Sequence, residues 1–224
     1  MFESILHGLR QIAGWIIPLA QAAEVTLALS VISVVIGIIG GVFIALGRIS
    51  RGKILKRICG AYIFVFRGTP LLMQLFFLWT ALPLAIPALT MQNRFLAAVI
   101  AFSLNSAAYQ AEIIRAAIQS IDPGQMEAAK SLGLTYSQAM RLIIFPQSIK
   151  RLVPPIGNEF IMVLKDTSLV QMISLVDLMK KTNQIQSSAA TALVYLPSAV
   201  MYLIFTGVFT WLFNRLEKHH ARYE

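Results

Sequence analysis

The side chains in this sequence that could do chemistry are mostly polar and ionisable groups inside otherwise apolar segments. They are Arg67, Thr69 and Gln74 in one segment, Asn105, Ser106 and Tyr109 in a second, and Glu159, Met162 and Asp166 in a third. Asn105 and Tyr109 are four residues apart, and Glu159 and Asp166 are seven apart, so each pair would lie on one face of a helix. Ionisable groups inside apolar helices usually have a function. The pattern predicts a site that binds a polar solute through charges and hydrogen bonds.

Motifs for catalysis and metal binding are missing from the sequence. It contains neither the His-Glu metal signature nor the Gly-x-Ser-x-Gly turn of hydrolases. The single cysteine, Cys59, excludes an internal disulfide and a thiolate metal cluster. The pair His219 and His220 is interpreted as part of a solvated tail. We therefore expect no catalytic residue, no metal site and no enzymatic activity in this chain.

The composition indicates a membrane protein. Hydrophobic residues make up 57% of the 224 residues and charged residues only 13%, whereas a soluble domain carries roughly 25% charged residues. The net charge of +9 comes from 19 Lys and Arg against 10 Asp and Glu. In a membrane protein such an excess is typical of cytoplasmic loops, so we expect membrane lipid and no nucleic acid among the partners.

Apolar stretches long enough to cross a bilayer, which takes about 20 residues per helix, occur five times. Their approximate bounds are 25–47, 60–84, 95–121, 152–176 and 190–214, and the fourth is the most polar. Residues 1–24 have apolar side chains at helical spacing, which predicts an amphipathic helix at the membrane surface. Because no internal repeat is visible, we expect one all-α membrane domain over residues 1–224.

The positions of the basic residues predict the orientation of the chain. Most Lys and Arg residues fall in segments 48–57 and 115–151 and after residue 214. Basic residues concentrate in cytoplasmic loops. We therefore expect the N-terminus outside, the C-terminus in the cytoplasm, and a long cytoplasmic loop over residues 122–150.

A near match to a phosphate-binding loop occurs at residues 47–53, where Gly47, Gly52 and Lys53 have the right spacing. The pattern requires Ser or Thr after the lysine, to reach a magnesium ion, but the next residue is Ile54. The segment also follows an apolar span and not a buried strand. We therefore expect no ATP site on this chain.

Small residues form a row in the first predicted span, at Gly37, Gly41 and Ala45. Small residues at this spacing allow two helices to approach closely in lipid. The sequence leaves open whether the partner helix belongs to the same chain or to a second subunit.

The predicted cytoplasmic loop contains a short helix with an unusual face. The Asp-Pro-Gly of residues 122–124 favours a turn, residues 125–132 favour a helix, and Gly133 suits its end. Glu127 lies near the helix N-terminus, where a carboxylate is favourable. The small apolar face of this helix consists of Ala128, Ala129 and Leu132. This face could enter a groove on another protein or pack against the membrane domain of the same chain.

This loop resembles the signature of the membrane subunits of binding-protein-dependent ABC importers. The matching positions are Glu127, Ala128, Ala129, Gly133, Ile143 and Pro146. Phe145 stands where the pattern has Leu. Segments 66–75, 108–115, 157–160 and 165–169 are similar to permeases for polar amino acids of the histidine, glutamine and arginine type, in order along nearly the whole chain.

The resemblance implies a mechanism and a set of partners. The short helix would be a coupling helix that docks into an ATPase subunit through Glu127, Ala128, Ala129, Leu132 and Gly133. Two such ATPase subunits would bind ATP and magnesium, so this chain would have no cofactor of its own. A second permease subunit, identical or homologous, and an extracytoplasmic amino-acid-binding protein would complete the assembly in a prokaryotic inner or plasma membrane.

An amino-acid substrate needs donors for its carboxylate and acceptors for its ammonium group. Arg67, or backbone N–H groups near Gly68 and Thr69, could bind the carboxylate. Glu159 and Asp166 could bind the ammonium group or a cationic side chain. Two acids at similar depth favour arginine, lysine or histidine, and glutamine or another polar amino acid is the alternative. An ion-coupled secondary carrier is the alternative from another class.

Structural ion pairs are a second explanation for the same charges, because buried charges are normally paired. Arg67 could pair with Glu112 or Asp166, and Lys165 with Asp166 or Asp177. The sequence leaves open whether Arg67, Glu112 and Lys165 contact a ligand or only stabilise the fold.

Overall fold

A computed structural model describes the backbone of residues 2–221 and the side chains of residue 8 and residues 10–218. Within this part of the chain all regular elements are helical and no strand occurs. The predicted all-α architecture is confirmed. His219 and His220, interpreted above as a solvated tail, lie outside the described side chains.

The first helix, α1, is one continuous element over Phe2–Ile49. Its segment Arg10–Ile49 is apolar and long enough to cross a membrane. The prediction of a separate amphipathic helix over residues 1–24 is therefore wrong about the boundary. Residues 20–24 are Ala, Gln, Ala, Ala and Glu, which favour helix continuation, and Pro18 lies inside the helix without ending it.

The second predicted span is broken in the middle. Helix α2 covers Lys53–Gly68 and helix α3 covers Leu71–Phe76. Segment Phe77–Ala81 is π-helical and leads into α4, Leu82–Ala85. The axis turns by 104° at the break. Thr69 has an extended backbone there, because the residue before a proline disfavours the helical conformation.

Helix α5, Arg94–Gln119, is the most buried helix and packs along α1. A Cβ atom built on Gly37 would lie 2.6 Å from the Oγ of Ser106, and one on Gly41 would lie 2.6 Å from the Cβ of Gln110. Both glycines therefore allow the close approach of α1 to α5. The row of small residues has its partner helix in the same chain, which answers the question left open above.

The predicted cytoplasmic loop contains two short helices, α6 over Pro123–Ser131 and α7 over Tyr136–Ala139. A π-helical segment, Met140–Ile144, joins α7 directly to α8, Phe145–Asp166. Helix α8 ends within the predicted fourth span, and the following segment, Thr167–Ile173, is a 3-10 helix.

The last part of the chain contains a helix that we did not predict. Helix α9 covers Leu178–Ala189, and its first N–H groups, of Met179 and Lys180, donate to the carboxylate of Asp177. After a 3-10 turn at Ala192–Val194, helix α10 covers Tyr195–Ala221.

Fewer helices meet the length and apolarity needed to cross a membrane than the five spans predicted from the sequence. Within residues 2–221, three helical stretches have the length and apolarity to cross a membrane, and the bent α2–α4 unit would be a fourth. Helix α8 is not among them, and it carries two prolines and charged residues along its length. A fifth span through α8 therefore remains a proposal.

Buried hydroxyl groups tie α9 to α1 and α10. The backbone N–H of Leu178 donates to the Oγ1 of Thr26, at 3.1 Å. The hydroxyl oxygens of Thr182 and Ser198 are 2.6 Å apart, and Thr182 also donates to the carbonyl of Leu178. These hydroxyl-bearing side chains are almost fully buried, so the junction fixes α9 against its neighbours.

Replacing Thr182 with Val should lower the free energy of unfolding by about 1 kcal/mol, since the buried hydrogen bond between the Thr182 and Ser198 hydroxyls would be lost and Ser198 would keep only the Val194 carbonyl as its partner. The expected result is a decrease of a few degrees in Tm for the protein in detergent. Ser187→Ala is the control, because Ser187 lies on the same helix with its side chain exposed. An equal decrease for both variants would contradict a stabilising role of the buried junction.

Candidate functional site

A cavity of about 330 Å³ lies where α5 and α8 face the break after α2. Its lining consists of Arg67, Gly68, Thr69, Pro70, Leu71, Asn105, Tyr109, Glu159, Met162, Val163 and Asp166. Every predicted binding residue except Gln74 and Ser106 is in this lining. Leu71 and Val163 were missed, because an apolar side chain in a cavity wall has the same sequence signal as one in the core.

Gln74 lies behind the cavity and stabilises the break. Its Nε2 donates to the carbonyl oxygen of Phe66, at 2.9 Å, and to the Oγ1 of Thr69, at 2.8 Å. The Nδ2 of Asn105 donates to the same Phe66 carbonyl and to the Oε1 of Gln74, both at 3.0 Å. Side chains of the chain itself therefore satisfy the Phe66 carbonyl that the break exposes. Gln74 has the geometry of a positioning residue and not of a cavity contact.

Ser106 also lies away from the cavity. It is fully buried, and its hydroxyl lies against Gly37 on α1. Adjacent residues of an α-helix differ by about 100° in direction, so Asn105 and Ser106 cannot share one face. Ser106, predicted to contact the ligand, therefore lies at the contact between α1 and α5 and not in the lining of the cavity.

Two carboxylates line the cavity from α8. Glu159 is only 6% exposed and Asp166 is partly buried. Neither forms a hydrogen bond or ion pair with the side chains that the structure describes. Lys165 is exposed and does not pair with Asp166 or Asp177. A cationic ligand group would thus meet two acids that form no hydrogen bond or close ion pair with the described side chains.

Arg67 faces the same cavity from the end of α2. Its guanidinium carbon lies 5.1 Å from the centre of the Tyr109 ring, a distance typical of a cation–π contact. Glu112 forms its ion pair with Arg115, three residues on. Among the described side chains Arg67 thus has no ion-pair partner, and its guanidinium remains available to a carboxylate.

The short loop helix α6 presents one side to the protein and the other to its surroundings. Ala129 is 1% exposed and faces the chain's own core, whereas Leu132 is 81% exposed. Glu127, Ala128 and Gly133 are exposed as well. Of the five residues predicted to form the docking face, four are thus exposed and Ala129 points inward.

The end of α6 has a local cause. Gly133 has a φ of +80°, a conformation that glycine adopts without strain. Its N–H donates to the carbonyl of Lys130, and the N–H of Leu134 donates to the carbonyl of Ala129. This pair of hydrogen bonds is a Schellman motif, and it leaves Leu132 projecting at the helix end.

The groups that line the cavity could bind a small polar solute through charges and hydrogen bonds. A guanidinium, two carboxylates and the Tyr109 ring surround a space the size of a small polar solute. Within the described part of the chain, no group of three or more His, Cys, Asp or Glu residues could hold a metal ion.

Comparison with known families identifies the chain's relatives. Residues 37–222 match the family described as "Binding-protein-dependent transport system inner membrane component". This chain belongs to that family. The resemblance inferred from the Glu-Ala-Ala loop is confirmed, and the chain is a membrane transport subunit and not an enzyme.

Individual relatives of this inner membrane component cover most of its length. It is 37% identical over 201 residues to the glutamine transport system permease protein GlnP of Escherichia coli, covering 89% of this chain and 91% of the relative. It is 38% identical over 216 residues to the arginine transport system permease protein ArgU of Corynebacterium glutamicum, covering 91% and 68%.

Solved structures agree with the fold of this family member. The crystal structure of an amino acid ABC transporter with histidines superposes with a TM-score of 0.85 at 40% identity, covering 94% of this chain and 96% of that chain. The inward-facing MetNI methionine ABC transporter superposes with a TM-score of 0.76 at 19% identity, covering 92% and 96%, and supports the fold alone.

Proposed function

We propose that this chain is the permease subunit of an ABC importer for cationic amino acids such as arginine, lysine or histidine. Relatives named for arginine, glutamine and cystine transport place it among amino-acid permeases without singling out one substrate. The observation that carries the finer proposal is that two carboxylates, those of Glu159 and Asp166, line one cavity without an ion-pair partner among the described side chains. Glutamine transport is the alternative.

Charged side chains of the cavity would fix the orientation of the bound amino acid by contacting its carboxylate and its cationic groups. Arg67 would bind the α-carboxylate, since a guanidinium can donate two parallel hydrogen bonds to it. Glu159 and Asp166 would bind the ammonium group and the cationic side chain. Asn105 and Thr69 would add hydrogen bonds from the wall, with Met162 as an apolar contact.

The membrane arrangement that fits this function has five spans and forms one domain over residues 1–224. The bent α2–α4 unit and α8 would supply the second and fourth spans. The N-terminus would lie outside and the C-terminus in the cytoplasm, which places the basic segment 48–57 and helix α6 at the cytoplasmic face. The cavity would then be reached from outside and emptied inward.

The partners follow from membership of a binding-protein-dependent family. Two ATPase subunits would carry ATP and magnesium, and an extracytoplasmic amino-acid-binding protein would deliver the substrate. A second permease subunit, identical or homologous, would complete the membrane unit. Helix α6 would be the coupling helix, docking through the exposed residues Glu127, Ala128, Leu132 and Gly133.

The test begins with purification of the chain from its native membrane in mild detergent, with mass spectrometry of the proteins that accompany it. The complex is then placed in liposomes with ATP inside, and uptake of labelled arginine and glutamine is measured with the co-purified binding protein outside. We expect an ATPase at one copy per permease chain and faster uptake of arginine. Glutamine uptake without arginine uptake would contradict the cationic substrate, and uptake without ATP would indicate an ion-coupled carrier.

A further inference from the structure

A second and larger cavity, of about 710 Å³, opens beside the binding cavity. The walls of both cavities contain Arg67, Gly68 and Tyr109. Because the Arg67 guanidinium lies over the Tyr109 ring, this pair stands between the two spaces. A solute that leaves the binding cavity past the pair enters the larger cavity.

One stripe of α2 lines the larger cavity. Lys56, Gly60, Ile63 and Arg67 lie in its wall and follow one another at helical spacing, so they share one helix face. Lys56 is eleven residues from Arg67, a distance of roughly 16 Å along the helix. The larger cavity therefore extends from the binding cavity toward the basic segment 48–57.

The two cavities differ in charge. The binding cavity has two unpartnered carboxylates and one guanidinium. The carboxylate in the wall of the larger cavity, that of Glu112, is already in an ion pair with Arg115. The cations in the wall of the larger cavity are Arg48, Lys56, Arg57 and the shared Arg67. None of them forms an ion pair with a described side chain.

The fold holds one of these cations at the wall. A Cβ atom at Gly60 would lie 3.4 Å from the guanidinium carbon of Arg48, an ordinary van der Waals distance, so the Arg48 side chain lies directly beside α2. Lys56 and Arg57 are exposed on the same helix. The positive charge is thus built into the junction of α1 and α2.

We propose that the larger cavity is a release chamber and that its cations oppose the return of a cationic amino acid from the cytoplasm. This inference rests on the proposed function, including the orientation given there. A cationic amino acid in the chamber is repelled by every unpartnered cation in its wall, whereas a neutral amino acid is not. The chamber therefore lowers re-occupation of the binding cavity from the cytoplasmic side by the transported substrate.

The experiment measures inhibition of uptake by amino acid already inside the vesicle. The complex is placed in liposomes with ATP and increasing unlabelled arginine or glutamine inside, and the initial rate of labelled arginine uptake is recorded. In the double variant Lys56→Gln with Arg57→Gln, half-maximal inhibition by internal arginine should need roughly three- to tenfold less arginine than in the wild type. Inhibition by internal glutamine should not change.

The matched control is the double variant Arg51→Gln with Lys53→Gln, which removes two exposed charges of the same basic segment outside the chamber wall. It should behave as the wild type. An unchanged response to internal arginine in the Lys56 and Arg57 variant overturns the proposal, and so does an equal change for arginine and glutamine, which would indicate lipid binding or a structural role. Absence of arginine uptake by the wild type without internal amino acid would instead contradict the proposed function.

Discussion

Replacing Glu159 with Gln should reduce arginine uptake roughly 10- to 100-fold. The substitution keeps the size of the side chain and its capacity for hydrogen bonds but removes the charge that a cationic ligand group would contact. A charge-assisted hydrogen bond contributes about 1.5–3 kcal/mol, which corresponds to this range. Glutamine uptake, which needs no second cation-binding group, should change by less than about threefold. Both rates are measured in liposomes with ATP inside and the binding protein outside.

The control for Glu159→Gln changes the same cavity without changing its charge. Met162→Leu alters a wall residue that is 57% exposed and apolar, so both uptake rates should stay near those of the wild type. Asp166→Asn should give the same selectivity as Glu159→Gln if the two acids act on one ligand. An equal loss of arginine and glutamine uptake in Glu159→Gln would be incompatible with a cationic substrate.

Replacing Leu132 with Asp should abolish ATP-driven uptake while leaving the membrane fold intact. Leu132 is 81% exposed at the end of α6, and an apolar anchor at the centre of an interface can contribute about 2 kcal/mol or more. A carboxylate at this position would be buried without a partner on docking, so binding of the ATPase should weaken by more than tenfold. The measurements are uptake and the amount of ATPase that co-purifies.

Two further variants separate docking from folding. Leu132→Met keeps an apolar side chain and should transport normally. Glu127→Lys reverses an exposed charge on the same helix and should also lose uptake, with an unchanged Tm of the isolated permease chain. Gly133→Asp does not separate docking from folding as cleanly, because the φ of +80° at this position would strain any side chain. Normal uptake by Leu132→Asp and Glu127→Lys would remove the docking role of α6.

Helix ends in this chain are predictable where local chemistry determines them. Thr69 before Pro70 ends α2, since the proline ring disfavours a helical residue before it. Asp122 accepts a hydrogen bond from the N–H of Gly124 at the start of α6, and Gly133 ends that helix. These features need only neighbouring residues, so the sequence contains the necessary information.

Elements that depend on distant contacts could not be located in the same way. Helix α9 is short and polar, and it is fixed by buried hydrogen bonds to Thr26 and Ser198, which are far away in the sequence. The continuity of α1 has a related cause, since residues before 25 pack through Leu19 against Leu178 and Val194. The apolar composition of the sequence therefore predicted a span over residues 25–47 but not the full length of α1.

The sequence predicted more of the residues that line the cavity at the α2 break than of those that line the larger cavity beside it. Helical spacing placed Asn105 with Tyr109 and Glu159 with Asp166. It could not show that the Gln74 side chain donates hydrogen bonds to the residues at the α2 break. The cations of the larger cavity are spread over residues 48–67, and in the sequence they resemble ordinary basic loop residues. Their convergence depends on the angle between α1 and α2, which no local pattern specifies.

The two prolines inside α8 determine how a bend of this helix would displace Glu159 and Asp166 relative to Arg67. Pro154 and Pro155 lack N–H donors, so the helix is easiest to bend just before Glu159. Taking 1.5 Å per residue, a bend of about 10° at Pro155 displaces Asp166 by roughly 3 Å but Glu159 by only about 1 Å. The larger displacement equals the length of a hydrogen bond. A ligand bound between α2 and both acids would therefore be released in sequence, at Asp166 first and at Glu159 afterwards.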